Sequence, residues 1–259
     1  MNLEIKQLDV KIAFLHGDLD EKIYMEQPEG FTAKGKEHLV CRLKKSWYGL
    51  KQAPRQRYKQ FDSFVADHGY ARTTSDHCVF LKKFSDGEFI ILLLYVDDML
   101  IICRDTSKID RLKKELSMSF NMKDLGPAKQ ILGMKISHDR KKGKLWLSQE
   151  SYIEEVLDKF NISKAKPVSF ILVGHLKLSS KQSPTSEKEK DEMKKLPYAS
   201  AVGSLMYSMV CTRPDIAHAV GVVSRLLSNP DKEHWVAIKW ILKYLRDTSR
   251  ICLCFGSGQ

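Results

Sequence analysis

Two periods of hydrophobicity divide this chain. Near its start Leu3, Ile5, Leu8, Val10 and Ile12 are apolar, and the last three stand two apart. That is the spacing of a half-buried strand, and it predicts one ending near Asp9–Val10. "HGDLDEK" breaks the pattern, and "QPEGF" is a loop by its proline and glycine. From Arg55 to His68 the apolar residues Tyr58, Phe61, Phe64 and Val65 take helical spacing, with Gly69 placed to stop the helix. Cys78–Leu81 and Phe89–Tyr95 read as strands around the turn "SDG", and Met99–Cys103 as a third.

Further along, Ile109, Leu112, Leu116 and Phe120 mark an amphipathic helix, and "DLGPA" a turn. Gln130–Ser137 and Lys144–Leu147 read as strands joined by the basic turn "HDRKKG". Tyr152–Phe160 is helical, with Ser148 or Ser151 as its cap. Residues 180–196 are polar, charged and poor in aromatics, the composition of a solvated linker. Helical spacing then returns over Tyr198–Cys211, Pro214–Leu227 and Asp231–Leu245, with Pro214 and Pro230 where helices begin. Strands crowd residues 1–147, a helix and polar linker fill 148–196, and helices fill 197–259: an α+β pattern without internal repeats.

The pattern is interrupted at one place. In "ILLLYVDDMLIIC", residues 91–103, Asp97 and Asp98 sit together inside an apolar run. Buried carboxylates are costly unless something positive meets them. A hairpin of Phe89–Tyr95 with Met99–Cys103, tipped by Val96–Asp98, would bring both aspartates out of the core. The tip is then either a solvated acidic turn or a divalent-cation site, since carboxylates are natural ligands of a hard cation such as magnesium. Asp9, at a predicted strand end, is a candidate third carboxylate. Three such groups would build a two-ion clamp for phosphoryl chemistry.

The totals add little to this. The chain has 259 residues, 43% hydrophobic and 29% charged, with a formal net charge of +11. That suits one large or two small soluble domains, and the positive balance favours a polyanionic partner, nucleic acid above all. No run reaches the roughly 18 apolar residues of a membrane span, and no secretory or other targeting signal stands out. The six cysteines form no CxxC pair and no zinc spacing, and read as reduced thiols.

Longer stretches carry a resemblance. "LDVKIAFLHGDLDEKIYMEQPEGF", "LVCRLKKSWYGLKQAPRQRY", "LLLYVDDMLI", "LSQESYIEEVLDKFNI", "PYASAVGSLMYSMVCTRPDIAHAVG" and "HWVAIKWILKYL" resemble, in order and over nearly the whole chain, the reverse transcriptase of copia-type retrotransposons, plant elements above all. The resemblance implies a palm (an antiparallel sheet with helices, 1–147, including the primer grip), a connecting helix and linker (148–196) and a helical thumb (197–259). It implies RNA-directed DNA polymerisation on an RNA or DNA template with primer, using deoxynucleoside triphosphates. Asp9, Asp97 and Asp98 would be catalytic and hold two Mg2+ ions. Phe14 would be the aromatic gate against ribonucleotides. Gly49, Lys51 and Gln52 in "YGLKQAP" would meet the incoming nucleotide and template. Lys123 lies near the lysine that protonates the pyrophosphate leaving group. Leu132, Gly133 and Met134 in "ILGMKIS" resemble the primer grip, and Gly203 and Tyr207 the thumb residues that follow the duplex minor groove.

By the same resemblance the chain is expected to lack the fingers and the RNase H domain, and to be inactive or weakly active alone. The alternative is a nucleic-acid-binding remnant without chemistry. Compartment is expected to be cytoplasmic particles or the nucleus; oligomeric state is left open.

Overall fold

The alternation in Phe89–Tyr95 becomes a strand whose even-numbered residues, Ile90, Leu92 and Leu94, are buried. The computed structural model describes residues 3–10, 19, 21–47, 49–50, 53–171, 178–179 and 182–256, the side chains of 53–57 and 60 excepted. The chain forms two compact units, one ending at Ala128 and the other beginning at Lys129.

The first unit contains β1 (Glu4–Val10), β2 (Tyr24–Met25), β3 (Cys41–Arg42), α1 (Ala53–Asp67), β4 (Ala71–Arg72), β5 (Val79–Lys83), β6 (Phe89–Tyr95), β7 (Asp98–Cys103), α2 (Thr106–Ser119) and β8 (Met122–Pro127). Six of the strands form an antiparallel sheet in the order β4-β5-β6-β7-β1-β8, and β2 and β3 form a separate pair. One face of the sheet, carrying Leu8, Leu92, Leu94, Met99 and Ile101, packs on Phe61, Phe64 and Val65 of α1 and Ile109, Leu112 and Leu116 of α2. Each such side chain contributes roughly 1.5–3 kcal/mol by leaving water. Helix α2 starts where Asp105 accepts from the Ser107 N–H, and its buried residues follow at helical spacing. The face away from the helices carries Ile91, Leu93, Leu100 and Ile102 along its middle, and Gln7, Asp9 and Asp98 toward the β6–β7 hairpin.

One element here departs from the sequence pattern. "DLGPA" is not a turn: its first four residues belong to β8, the outer neighbour of β1. An edge position tolerates Pro127, and a register shift between Gln7 and Leu8 absorbs the irregularity around Gly126.

The second unit contains β9 (Gln130–Ile131), β10 (Met134–Asp139), β11 (Lys144–Ser148), α3 (Glu150–Lys159), α4 (Glu187–Lys194), α5 (Tyr198–Cys211), a 3-10 turn at Pro214–Ile216, α6 (Ala217–Ser224), α7 (Lys232–Asp247) and β12 (Leu253–Phe255). Its core is helical, with Ile153, Val156, Leu205, Val220, Ile238 and Ile241 fully or nearly fully buried. The strands form a separate antiparallel sheet, β12-β11-β10-β9.

Three features differ from expectation. Gln130–Ser137 is broken into β9 and β10 by a two-residue loop, Leu132–Gly133, with φ of +50° and +71°. Positive φ at both central residues is the I′ geometry that matches strand twist. Within the predicted linker, residues 187–194 form α4. Ser186 and Glu189 cap each other's backbone amides, and Met193 is buried. The C-terminal β12 adds to β11, and Gly256 (φ +136°) passes so close to the β10–β11 turn that a Cβ there would lie 2.4 Å from the Gly143 carbonyl oxygen.

The connection between α5 and α6 is anchored by Arg213, whose side chain is 0% exposed. Its Nε and Nη2 donate to the two carboxylate oxygens of Asp215 (2.9 and 2.7 Å), and Nη1 and Nη2 to the Thr248 carbonyl and hydroxyl (2.9 and 2.7 Å). The Tyr244 hydroxyl donates to the same carboxylate at 3.0 Å. The C-terminal end of α7 is thereby tied to the turn that follows α5.

Candidate active site

The hairpin of β6 and β7 is tighter than the sequence implies. Tyr95 lies directly opposite Asp98, so the loop is Val96–Asp97, two residues instead of Val96–Asp98. Val96 has φ +51°. A branched residue at the first loop position occupies the place where II′ turns take glycine, a conformation that costs of order 1–3 kcal/mol. The paired strands on both sides impose it. The Asp97 carbonyl accepts from the Val10 N–H at 2.9 Å, fastening the hairpin tip to the end of β1.

Register then sets the polar face. Asp9 is directly opposite Asp98 on β7 and directly opposite Lys123 on β8. Tyr95, Asp98, Asp9 and Lys123 therefore form one row across four neighbouring strands. Directly opposed residues share a face, with Cβ atoms about 4.5–5.5 Å apart. The adjacent row, Leu94, Met99 and Leu8, is in the core, so the acidic row lies on the face away from the helices. Asp9, Asp97 and Asp98 are half-buried and Lys123 is exposed.

Gln7 completes this face. It stands two residues before Asp9, is 7% exposed, and donates from Nε2 to Asp98 Oδ1 at 3.1 Å. An ionised carboxylate only accepts, which assigns the amide nitrogen to this contact. Sequence reasoning missed Gln7. The available signal was a polar residue in strand phase with Asp9.

The donor chemistry of Asp9, Asp97 and Asp98 suits a hard cation. Among the described residues no three His, Cys, Asp or Glu side chains form a metal-binding group. Gln7 engages one Asp98 oxygen, and the opposed charges of Asp9 and Asp98 favour a cation between them.

Phe14, Lys51 and Gln52 lie outside the described residues. Gly49 has φ +90° and no atom within 4 Å of an added Cβ, so conformation and not crowding calls for glycine there. In the second unit, Leu132 and Gly133 form the β9–β10 turn and Met134 begins β10 opposite Ile131. Gly203 is an exposed residue in the middle of α5 with open space around it. Tyr207, one turn on, donates its hydroxyl to the Leu132 carbonyl. Its ring meets Tyr152 edge-on, with centroids 5.0 Å apart. The structure thus gathers Asp9, Asp98 and Lys123 in the first unit, and Leu132 with Tyr207 in the second.

No helix among the described residues is long and apolar enough to cross a membrane. Residues 1–173 match the family model of reverse transcriptase (RNA-dependent DNA polymerase). Over all 259 residues the chain is 67% identical to the retrovirus-related Pol polyprotein from transposon TNT 1-94 of Nicotiana tabacum, covering 20% of it. It is 38% identical over 244 residues to the corresponding polyprotein from transposon RE1 of Arabidopsis thaliana, covering 94% of this chain and 16% of that one. A Ty5-1 transposon protein of Saccharomyces cerevisiae is 33% identical over 253 residues, 97% of this chain and 79% of its own length. The chain spans a fifth or less of the two plant polyproteins. The strand-end and hairpin-tip aspartates fall inside the matched segment, and the likeness to the Pol relatives runs through the helices beyond it: the chain belongs to the reverse transcriptase (RNA-dependent DNA polymerase) family.

Proposed function

We propose that this chain catalyses RNA-directed DNA polymerisation as part of a copia-type retrotransposon Pol protein. A primer 3′-hydroxyl attacks the α-phosphate of a deoxynucleoside triphosphate on an RNA or DNA template, and pyrophosphate leaves. The observation that carries this is the direct pairing of Asp9 with Asp98, with Asp97 at the hairpin tip fastened to Val10.

Asp9, Asp97 and Asp98 would hold two Mg2+ ions, which when bound make the hydroxyl a better nucleophile and offset charge on the leaving group. Gln7, one row along the same face, holds Asp98 by a hydrogen bond. Lys123, opposite Asp9 on β8, would give a proton to the leaving pyrophosphate. Phe14, Gly49, Lys51 and Gln52 would receive the nucleotide and template. Leu132, Gly133 and Met134 would hold the primer end, while Gly203 and Tyr207 would lie toward the duplex. Exposed Arg140, Lys141 and Lys142 at the β10–β11 turn add phosphate-neutralising charge. The reaction belongs in cytoplasmic particles or the nucleus.

Primer extension with magnesium tests this, using the Asp97→Asn, Asp98→Asn double variant as control and circular dichroism to match folding. Template-dependent extension by wild type alone supports the proposal; indistinguishable traces sink it. One observation favours a second reading, binding without chemistry: the net charge of +11 suits a polyanionic partner whether or not the site reacts. That reading expects salt-sensitive duplex binding indifferent to magnesium and to both substitutions.

Gly203→Ala separates stability from binding. A glycine inside an exposed helix costs roughly 0.5–1 kcal/mol relative to alanine, so the variant is expected to melt higher. If a nucleic-acid backbone uses the open space at Gly203, affinity for a primer–template duplex falls several-fold. Thermal unfolding and fluorescence anisotropy should therefore move in opposite directions, and unchanged affinity would remove Gly203 from the interface.

A further inference from the structure

We infer that Tyr207 acts on the primer end indirectly, by holding the Leu132–Gly133 turn, and is a positioning residue. This rests on the proposed role of that turn in gripping the primer. A tyrosine ring lying along a duplex would act through its face and edge. Here the working group is the hydroxyl, which donates to the Leu132 carbonyl.

Three further observations converge on the turn. Leu132 and Gly133 both have positive φ, and leucine, unlike glycine, is strained there. The hairpin is short: β9 is two residues long, and beyond the pairs Ile131 with Met134 and Gln130 with Lys135 its arms share one more backbone bond, Ile136 N–H to the Lys129 carbonyl at 2.8 Å. The tether comes from a rigid source. Helix α5 buries Tyr198, Ala201, Val202, Leu205 and Ser208 in the helical core. The Tyr207 ring is steadied edge-on by Tyr152, whose own hydroxyl donates to the Ser204 carbonyl at 3.4 Å. A strained turn on a short hairpin thus takes its position from a helix embedded in the core.

Tyr207→Phe removes only the hydroxyl and keeps the ring against Tyr152. In the free full chain, amide exchange over residues 130–136 is expected to rise about tenfold, the effect of losing one hydrogen bond, while α5 exchanges as before. With a primer carrying 2-aminopurine at its 3′ end, anisotropy should report at most a small loss of duplex affinity, since the ring stays in place against Tyr152. The terminal fluorescence should rise, because the end is no longer held. Leu132→Gly added to Tyr207→Phe relieves the left-handed strain and should restore both exchange and fluorescence toward wild type. Wild-type exchange at 130–136 in Tyr207→Phe overturns the inference. So does a loss of duplex affinity in that variant with exchange unchanged, which would make Tyr207 a direct contact. If wild type extends no primer, the polymerase reading fails, yet the exchange and fluorescence arms still decide the role of Tyr207.

Discussion

Asp9→Asn is expected to lower primer extension by on the order of 10³-fold or more while leaving the protein as stable as wild type, or slightly more so. The two halves of that expectation come from one register. Asp9 faces Asp98 directly, and like charges so placed cost a cross-strand pair about 0.2–1 kcal/mol. Asparagine keeps the shape and removes the repulsion. What it gives up is attraction to Lys123, an exposed partner worth about 0–1 kcal/mol. The balance is close to zero or favourable. The same neutralisation takes a negative donor from a site whose chemistry depends on collecting cationic charge. Single-turnover extension and urea unfolding, run on one preparation, measure both. Activity within tenfold of wild type would remove Asp9 from the site. A large loss of stability would mean that Asp9 serves the fold.

The aspartate pair was legible because it violates its surroundings: two charges in an apolar run need a turn and a partner. Gln7 and the position of Lys123 were not. Both depend on which residue lies opposite which, a long-range property set by the β1–β7 and β1–β8 ladders. The second ladder was hidden because Gly126 and Pro127 look like turn residues, and only the edge position allows them in a strand. The Val96 turn shows the same override. Its residue type argues against positive φ, and the five further cross-strand pairs between β6 and β7 impose it.

The helices divide along similar lines. The bounds of α5 follow directly from helical spacing, because a helix closes its own hydrogen bonds. Helix α4 was obscured by charge density, although Ser186, Glu189 and the apolar Met193 are the marks of a capped amphipathic turn. The break at Leu132 left no sequence signal apart from Gly133, because leucine resists the conformation that Tyr207 helps to hold. Strand β12 pairs with residues more than a hundred positions away, and no local period reveals that.

Arg213→Ala is expected to destabilise the second unit by about 3 kcal/mol, near the lower end for breaking a buried pair because Asp215 keeps some contact with water. The guanidinium is 0% exposed and Asp215 is 35% exposed. Alanine leaves the carboxylate with the Tyr244 hydroxyl and its own backbone amide, takes two donors from Thr248, and opens a void at the end of α7. The loss should vary with pH. In the wild type, burial pushes the Asp215 carboxyl up, but the hydrogen bonds and charge of Arg213, helped by Tyr244, hold it below the usual carboxylate value. A depressed carboxylate contributes stability that is present above its unfolded value, about 3.9, and is lost as pH falls through the lower folded value. Without Arg213, burial acts unopposed by that charge, and the carboxyl rises. The variant then gains less stability than wild type as pH climbs through the carboxylate range. The difference between the two in unfolding free energy should widen from about pH 3 to about pH 6. A double variant, Arg213→Leu with Asp215→Leu, strands no charge and should recover part of the loss with little pH dependence. A constant difference across that range would show that Arg213 contributes through packing and its bonds to Thr248, with its charge on Asp215 contributing nothing measurable.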